Sequence, residues 1–100
     1  MSNSPFLTSI SQDMRQKGYS LRTEKTYIHW IKRFILFHGK RHPNTMAGEE
    51  VRRFLSHLAN DAHVSTNTQK IALNALAFLY NSFLAGMLDF PSLIPALLFM

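Results

Sequence analysis

The chain has 100 residues, of which 46% are hydrophobic and none is cysteine, and its formal charge is +5 at pH 7. That length is enough for one small domain with a single core and too short for two. The high apolar content excludes a disordered chain, and the lack of cysteine excludes disulfides and thiolate metal sites. The sequence contains neither a long uncharged apolar run nor a basic segment leading into an apolar one. We therefore expect no membrane span and no secretory signal.

The basic residues are concentrated in one part of the chain. Between Arg15 and His42 there are eight Lys and Arg residues against a single acid, Glu24. This segment therefore carries a net charge of +7, whereas the rest of the chain carries −2. A basic block within a folded domain favours a polyanionic partner, either nucleic acid or anionic lipid. A solvated face that only keeps the protein in solution is the alternative at this point.

The first half of the chain predicts two helices. The first begins at Pro5, with the preceding serine as its N-cap, and it ends near Gly18. The second covers residues 21–38, with Ser20 as its N-cap and Gly39 as its stop. Apolar residues recur in both segments with the 3.6-residue period of an amphipathic helix.

The second half predicts two more helices. The third covers residues 48–60, and Glu49 and Glu50 in its first turn suit the positive end of the helix dipole. The fourth covers residues 66–84, with Ser65 as its N-cap. No alternating run and no tight hairpin turn indicates a strand. Four helices with short connections predict an all-α bundle.

The chain divides into two parts of different composition. Residues 4–84 contain all four predicted helices, and residues 85–100 form an apolar tail with the sequence AGMLDFPSLIPALLFM. The only charge in the tail is Asp89, and Pro91 and Pro95 interrupt any helix there. An apolar tail of this kind either packs back on the bundle, binds a partner, or is a truncated linker.

The second helix predicts one apolar face and one basic face. Spaced at 100° per residue, the apolar sector comprises Tyr27, Ile28, Ile31, Phe34, Ile35 and His38. The opposite side carries Arg22, Lys25, His29, Lys32 and Arg33. Over twelve residues this basic face is about 18 Å long, and duplex DNA carries a phosphate charge about every 1.7 Å. Trp30 and Phe37 are predicted at the edge of the core.

The fourth helix is apolar on nearly all sides, which predicts a position at the centre of the bundle. Its narrow polar strip consists of Asn67, Lys70, Asn74 and Asn81. Together with Thr66 and Thr68, the first half of this strip offers short donors and acceptors suited to phosphates and base edges. Capping of the helix and an ordinary solvated strip explain the same residues equally well.

The sequence gives little support for catalysis or for a bound cofactor. No pair of carboxylates is spaced for acid–base work, and there is no glycine-rich phosphate loop. His38 and His42 have i,i+4 spacing, but Gly39 and Pro43 interrupt the helix that would present both. We therefore expect no catalytic residue, no metal and no cofactor.

Three stretches together resemble the N-terminal core-binding domain of integron integrases, which belong to the tyrosine recombinases. They are YSLRTEKTYIHWIKRFILFHGKRHP, EEVRRFLSHLA and VSTNTQKIALNALAFLY. The resemblance covers roughly residues 5–84. It implies a SAM-like four-helix domain that forms half of a clamp around recombination-site DNA, with its second and fourth helices on the DNA.

The resemblance also implies which residues contact DNA and in what setting. The expected contacts lie at the start of the second helix, in the following loop and at the start of the fourth helix. They are Arg22, Thr23, Lys25, Thr26 and His29, then Lys40, Arg41 and His42, then Thr66, Asn67, Thr68, Lys70 and Asn74, and the basic face adds Lys32 and Arg33. The implied partner is attachment-site DNA, as a duplex or a folded single strand, in a bacterial cytoplasm. Self-association on DNA or through the tail is a further expectation.

The chain departs from the family in one major respect. The catalytic Arg, Lys and His residues and the tyrosine nucleophile of the family lie in a C-terminal domain, and this sequence has no counterpart of them. Tyr19, Tyr27 and Tyr80 lie in the helical domain and are not expected to act as nucleophiles. The chain therefore resembles a truncated integrase, a fragment, or a remnant whose reading frame diverged, and we expect it to bind DNA without cutting it.

Two other functions remain open at this stage. One is a helical protein-interaction module that uses the apolar tail. The other is adsorption to a membrane surface, which is disfavoured because the core needs the apolar face of the second helix.

Overall fold

The computed structural model describes residues 5–84, and this part of the chain is helical throughout, without a strand. The helices are α1 (Pro5–Gln16), α2 (Leu21–Phe37), α3 (Gly48–Asn60) and α4 (Thr66–Phe78), joined by a 3-10 turn at Pro43–Thr45 and continued by a π-helical segment at Leu79–Leu84. The predicted all-α class with four helices is confirmed. The predicted Ser4 cap and the apolar tail lie outside the described residues.

Two serines begin α2 and α4 in the same way. The Ser20 hydroxyl oxygen accepts the Thr23 N–H at 3.1 Å, and that of Ser65 accepts the Thr68 N–H at 3.2 Å. Each serine hydroxyl also donates to the threonine hydroxyl oxygen at 3.0 Å. Both predicted N-caps are therefore confirmed, and each satisfies a backbone donor that the first helical turn would leave unpaired.

Glycines end α1 and α2 as the sequence predicts. Gly18 has φ 83° and Gly39 has φ 71°, in the left-handed region that closes a helix most easily at glycine. The helix α2 ends at Phe37, one residue before the predicted end at residue 38. A shift of one residue is within the ordinary fraying of a helix end.

The connection between α2 and α3 contains structure that the sequence analysis does not predict. A 3-10 turn begins at Pro43, whose ring fixes the backbone angle such a turn needs. The Tyr80 hydroxyl donates to the Pro43 carbonyl at 2.8 Å in the interior. At the start of α3, the Glu50 carboxylate accepts the Ala47 N–H at 2.9 Å, so this acid caps the helix as well as suiting its dipole.

The prediction of one continuous α-helix over residues 66–84 is wrong for its last six residues. After Phe78 the backbone continues as a π-helix, Leu79–Leu84. In this wider turn, residues four and five apart share a side. Leu79, Tyr80, Phe83 and Leu84 are accordingly all buried.

A single hydrophobic core joins all four helices. The predicted central position of α4 is confirmed, because Ala72, Ala75 and Leu76 are fully buried. The prediction for α2 needs correction, because Trp30 is buried in the core whereas Phe37 is 41% exposed. The buried sector of α2 is centred on Trp30, Ile31 and Phe34, and the other predicted core residues of this helix are only half-buried.

Candidate nucleic-acid interface

The basic face of α2, defined as Arg22, Lys25, His29, Lys32 and Arg33, is exposed to solvent along its length. None of its Lys and Arg side chains forms an ion pair with an acid in residues 5–84. The structure thus brings together the five residues that the helical period predicts on this side. Their positive charge is left uncompensated within the described part of the chain.

Trp30 anchors this face to the core. The Arg33 guanidinium lies over the Trp30 ring at 4.9 Å, and the His29 ring meets the same indole edge-on at 5.0 Å. A cation above an indole face is attracted to it without losing its charge. Arg33 is therefore held in place and remains a cation on the surface.

The one acid of the basic segment is bonded to a cation of another helix. The Glu24 side chain is only 6% exposed and pairs with Arg15 of α1. Arg15 Nε donates to Glu24 Oε1 at 2.9 Å, and Arg15 Nη2 donates to Oε2 at 3.2 Å. These hydrogen bonds hold the pKa of Glu24 below its ordinary value against the opposing effect of burial. The pair joins α1 to α2 and was not predicted from the sequence.

A polar open groove of about 440 Å³ runs between α1 and α2. Its lining combines side chains from both helices: Leu7, Thr8, Ser11, Gln12 and Arg15 of α1, and Glu24, Lys25, Ile28, His29 and Lys32 of α2. The groove places part of the basic face opposite the hydroxyl and amide side chains of α1. No residue of α1 is among the contacts predicted from the sequence.

The loop after α2 contains three of the predicted contact residues in different settings. Arg41 donates to the Thr45 carbonyl at 2.6 Å and pairs with Glu50 at 3.5 Å. The Nδ1 atom of His42 accepts the Asn44 N–H at 3.2 Å. Lys40 is exposed and forms no ion pair within residues 5–84. Arg41 and His42 thus hold the loop together, and Lys40 is presented to solvent.

The predicted contact residues of α4 lie on its first three turns. Thr66, Asn67, Lys70 and Asn74 are exposed, whereas Thr68 is half-buried and engaged with the Ser65 cap. On α2, Thr23 and Thr26 are similarly engaged with local hydroxyl and carbonyl groups. On α4, the side chains exposed to an external partner are therefore those of Thr66, Asn67, Lys70 and Asn74.

Ring contacts join α2 to the last residue of α4 and to the π-helical segment that follows it. The Tyr27 and Phe78 rings lie 6.2 Å apart, and the Phe34 and Tyr80 rings are separated by the same distance. Within residues 5–84, no hydrogen bond, ion pair or ring contact joins the predicted contact residues of α2 to those of α4. Their joint use of one DNA surface stays a prediction.

The described residues offer no further chemical site. No group of three or more His, Asp or Glu side chains between residues 5 and 84 is placed to hold a metal ion. In the same part of the chain, no helix combines the length and the apolar character that crossing a bilayer requires. The Tyr80 hydroxyl is buried and bonded to the Pro43 carbonyl, and burial raises its pKa above the ordinary value.

Residues 6–89 match the model of the phage integrase N-terminal SAM-like domain. The chain belongs to this family. An "Integrase/recombinase" of Escherichia coli and one of Pseudomonas aeruginosa are each 49% identical to the chain over 78 residues, which is 78% of the chain and 23% of the relative. A "Putative integrase/recombinase" of Sinorhizobium fredii is 30% identical over 77 residues, 77% of the chain and 25% of the relative.

This integrase N-terminal domain therefore spans about a quarter of the length of the curated relatives that it matches. The predicted SAM-like fold is confirmed, as is the membership of an integrase family. The matched region includes the basic face of α2, the loop after it and the whole of α4.

Proposed function

We propose that this integrase domain binds recombination-site DNA of the integron type, with phosphate contacts from α2 and base contacts from the start of α4. The observation that carries the proposal is the basic face of α2, where four cations stand exposed without an ion pair inside the described residues: Arg22, Lys25, Lys32 and Arg33. Phosphate contacts of this kind supply most of the affinity of a protein for DNA.

The charge pattern in the rest of the domain supports the same conclusion. Residues 5–84 contain five acids, and each of them pairs with a Lys, Arg or His side chain outside the basic face of α2. These acids are Asp13, Glu24, Glu49, Glu50 and Asp61. A surface that only kept the protein in solution could carry acidic and basic side chains together. Since the acids are paired elsewhere, the field over α2 stays positive and attracts a polyanion.

The start of α4 supplies the groups that we assign to base recognition. Asn67 and Asn74 are exposed amides, and an asparagine amide can donate to and accept from one adenine at the same time. Lys70 lies between them on the helix and forms no ion pair in the described residues, so we assign it a phosphate. In the loop after α2 we assign phosphate contact first to Lys40, with Arg41 and His42 holding its backbone.

We further propose that the 100-residue chain binds DNA without cutting it. The family model that it matches describes an N-terminal domain, and the chain covers about a quarter of its relatives.

The test is a fluorescence-anisotropy titration of the full chain against three labelled DNAs. These are a duplex attachment site, the same site as a folded single strand, and a scrambled duplex, each measured over a salt series. We expect tight binding that weakens steeply with salt and favours one of the two site forms over the scrambled control. Failure to bind any of the three DNAs at low salt would refute the proposal.

The salt series also separates this function from a protein-interaction module. Association through apolar surface persists at about 0.5 M salt, whereas phosphate binding is screened away. The tail predicted to make such an interaction lies outside the described residues, and binding at about 0.5 M salt decides between the two functions.

A further inference from the structure

The groove between α1 and α2 has the chemistry of a phosphate site. Lys25, His29 and Lys32 line it from α2, and the neutral donors Thr8 and Gln12 line it from α1. Its only acid is Glu24, which is already bonded to Arg15. The groove therefore offers donors and positive charge from two helices, with its one negative charge already paired.

Arg15 adds a third Lys or Arg side chain to the groove, and it comes from α1. Its guanidinium uses Nε and Nη2 for Glu24, and Nη1 forms no hydrogen bond within residues 5–84. The side chain is 65% exposed although its partner is buried. A guanidinium carries five donors in a fixed plane, so a side-on pair with a carboxylate leaves further N–H groups pointing outward. Glu24 thus orients Arg15 without blocking it.

We propose that this groove binds a phosphate group of the DNA backbone, held between Arg15 of α1 and Lys25 and Lys32 of α2, with Glu24 as the positioning residue for Arg15. This inference rests on the proposed function and extends the DNA surface from α2 to α1. In this role Glu24 acts on DNA only through Arg15.

A double substitution that keeps the net charge tests the role of Arg15. Arg15→Gln combined with Glu24→Gln removes one cation and one anion, so a purely structural pair predicts unchanged DNA binding. If Arg15 contacts a phosphate, the slope of log affinity against log salt falls by about 0.9, and the affinity at low salt falls by roughly tenfold. Both are read from anisotropy titrations of the full chain.

The matched control lies at the C-terminal end of α1. Lys17, the first residue after this helix, pairs with Asp13 at 2.8 Å and donates to Ser82 Oγ at 2.9 Å, and neither Lys17 nor Asp13 lines the groove. The double variant Lys17→Gln with Asp13→Asn again removes one ion pair at constant net charge. We expect its affinity to stay within about twofold of the unmodified chain, since no phosphate contact is lost.

A second pair of variants leaves the Arg15–Glu24 bridge intact. These variants test the groove site even if the Arg15/Glu24 double variant does not fold. Gln12 and Gln16 are both exposed on α1, one turn apart, but only Gln12 lines the groove. Gln12→Glu places a carboxylate beside the bound phosphate, so we expect it to weaken DNA binding several-fold more than Gln16→Glu, which changes the net charge equally.

Arg22 lies outside the groove. Its substitution therefore distinguishes failure of the groove site from failure of DNA binding by α2. If Arg22→Ala lowers the salt slope while the Arg15/Glu24 double variant and Gln12→Glu match their controls, the groove site is refuted and DNA binding by α2 stands. If the chain binds no DNA, or Arg22→Ala and the groove variants all leave the slope unchanged, both proposals are refuted.

Discussion

Removal of Lys25 gives a quantitative test of the basic face. Four cations of α2 are exposed and without an ion pair in the described residues. If each neutralises one phosphate, these four cations together contribute about −3.6 to the slope of log affinity against log salt, which is a factor of about 150 in affinity between 50 and 200 mM salt. In Lys25→Ala this contribution falls to about −2.7, a factor of only about 40 over the same rise in salt, so the slope of the whole domain becomes shallower by about 0.9.

The control for this prediction removes a paired cation. Arg53 contacts Glu49 at 3.2 Å on α3, outside the basic face, and we assign it no phosphate contact. Arg53→Ala changes the net charge by the same amount as Lys25→Ala, yet we expect the salt slope of the unmodified chain. Anisotropy titrations at four or more salt concentrations measure both slopes. Equal slopes in the two variants would show that net charge alone governs binding and would refute the assignment of Lys25.

Three other predictions concern specificity and stability. Asn74→Ala should reduce the preference for the attachment site over scrambled DNA, by about 1–3 kcal/mol at one base pair, while leaving the salt slope unchanged in competition titrations. The folded domain holds the pKa of Glu24 below its ordinary value, so Glu24 stabilises the domain above about pH 4.3 and loses that effect as the pH falls. In urea unfolding at several pH values, the free energy of unfolding of Glu24→Gln should therefore fall less at acid pH than that of the unmodified domain. Tyr80→Phe removes one of the two donors to the Pro43 carbonyl, which keeps the Met46 N–H at 3.0 Å, and should cost about 0.5–1.5 kcal/mol at pH 7. Because burial keeps the Tyr80 phenol neutral, the unmodified domain should lose stability above about pH 10, and the Phe variant should lose less.

The local features of this fold could be predicted because their causes are local. Ser20 and Ser65 cap helices through hydrogen bonds to residues three positions ahead, and Gly18 and Gly39 end helices through their own backbone angles. Each of these effects depends on a few consecutive residues, so the sequence determines it before any tertiary contact forms.

Only one half of the Arg15–Glu24 pair, the need of Glu24 for a partner, could have been predicted from the sequence. Glu24 lies four and seven residues before Ile28 and Ile31, on the side of α2 that packs inward. An acid on such a side must have a partner, because burial of an isolated carboxylate is very costly. The sequence therefore contains the signal that Glu24 is paired. It does not show that the partner is Arg15, because that depends on how α1 crosses α2.

The exposure of Phe37 could not be predicted from the helical period. Its ring lies 5.5 Å from Phe54 and 4.8 Å from His57, so it touches α3 while remaining open to solvent. Periodicity identifies the apolar side of a helix, but the position of the neighbouring helix decides which residue at the edge is covered. The same reason explains why Trp30, also placed at the edge by its spacing, lies in the core.

The two kinds of cation in this domain respond differently to salt, and this difference separates binding from folding. The exposed pairs of Arg52 and Arg53 with Glu49 each contribute at most about 1 kcal/mol, so their screening changes stability little. The core, which contains Phe34 and Leu76, does not weaken with salt. The cations of α2 have no acid partner in the described residues, and the whole of their interaction with phosphates is exposed to screening. Salt that abolishes DNA binding should therefore leave the four-helix fold intact, as circular dichroism under the same conditions would measure.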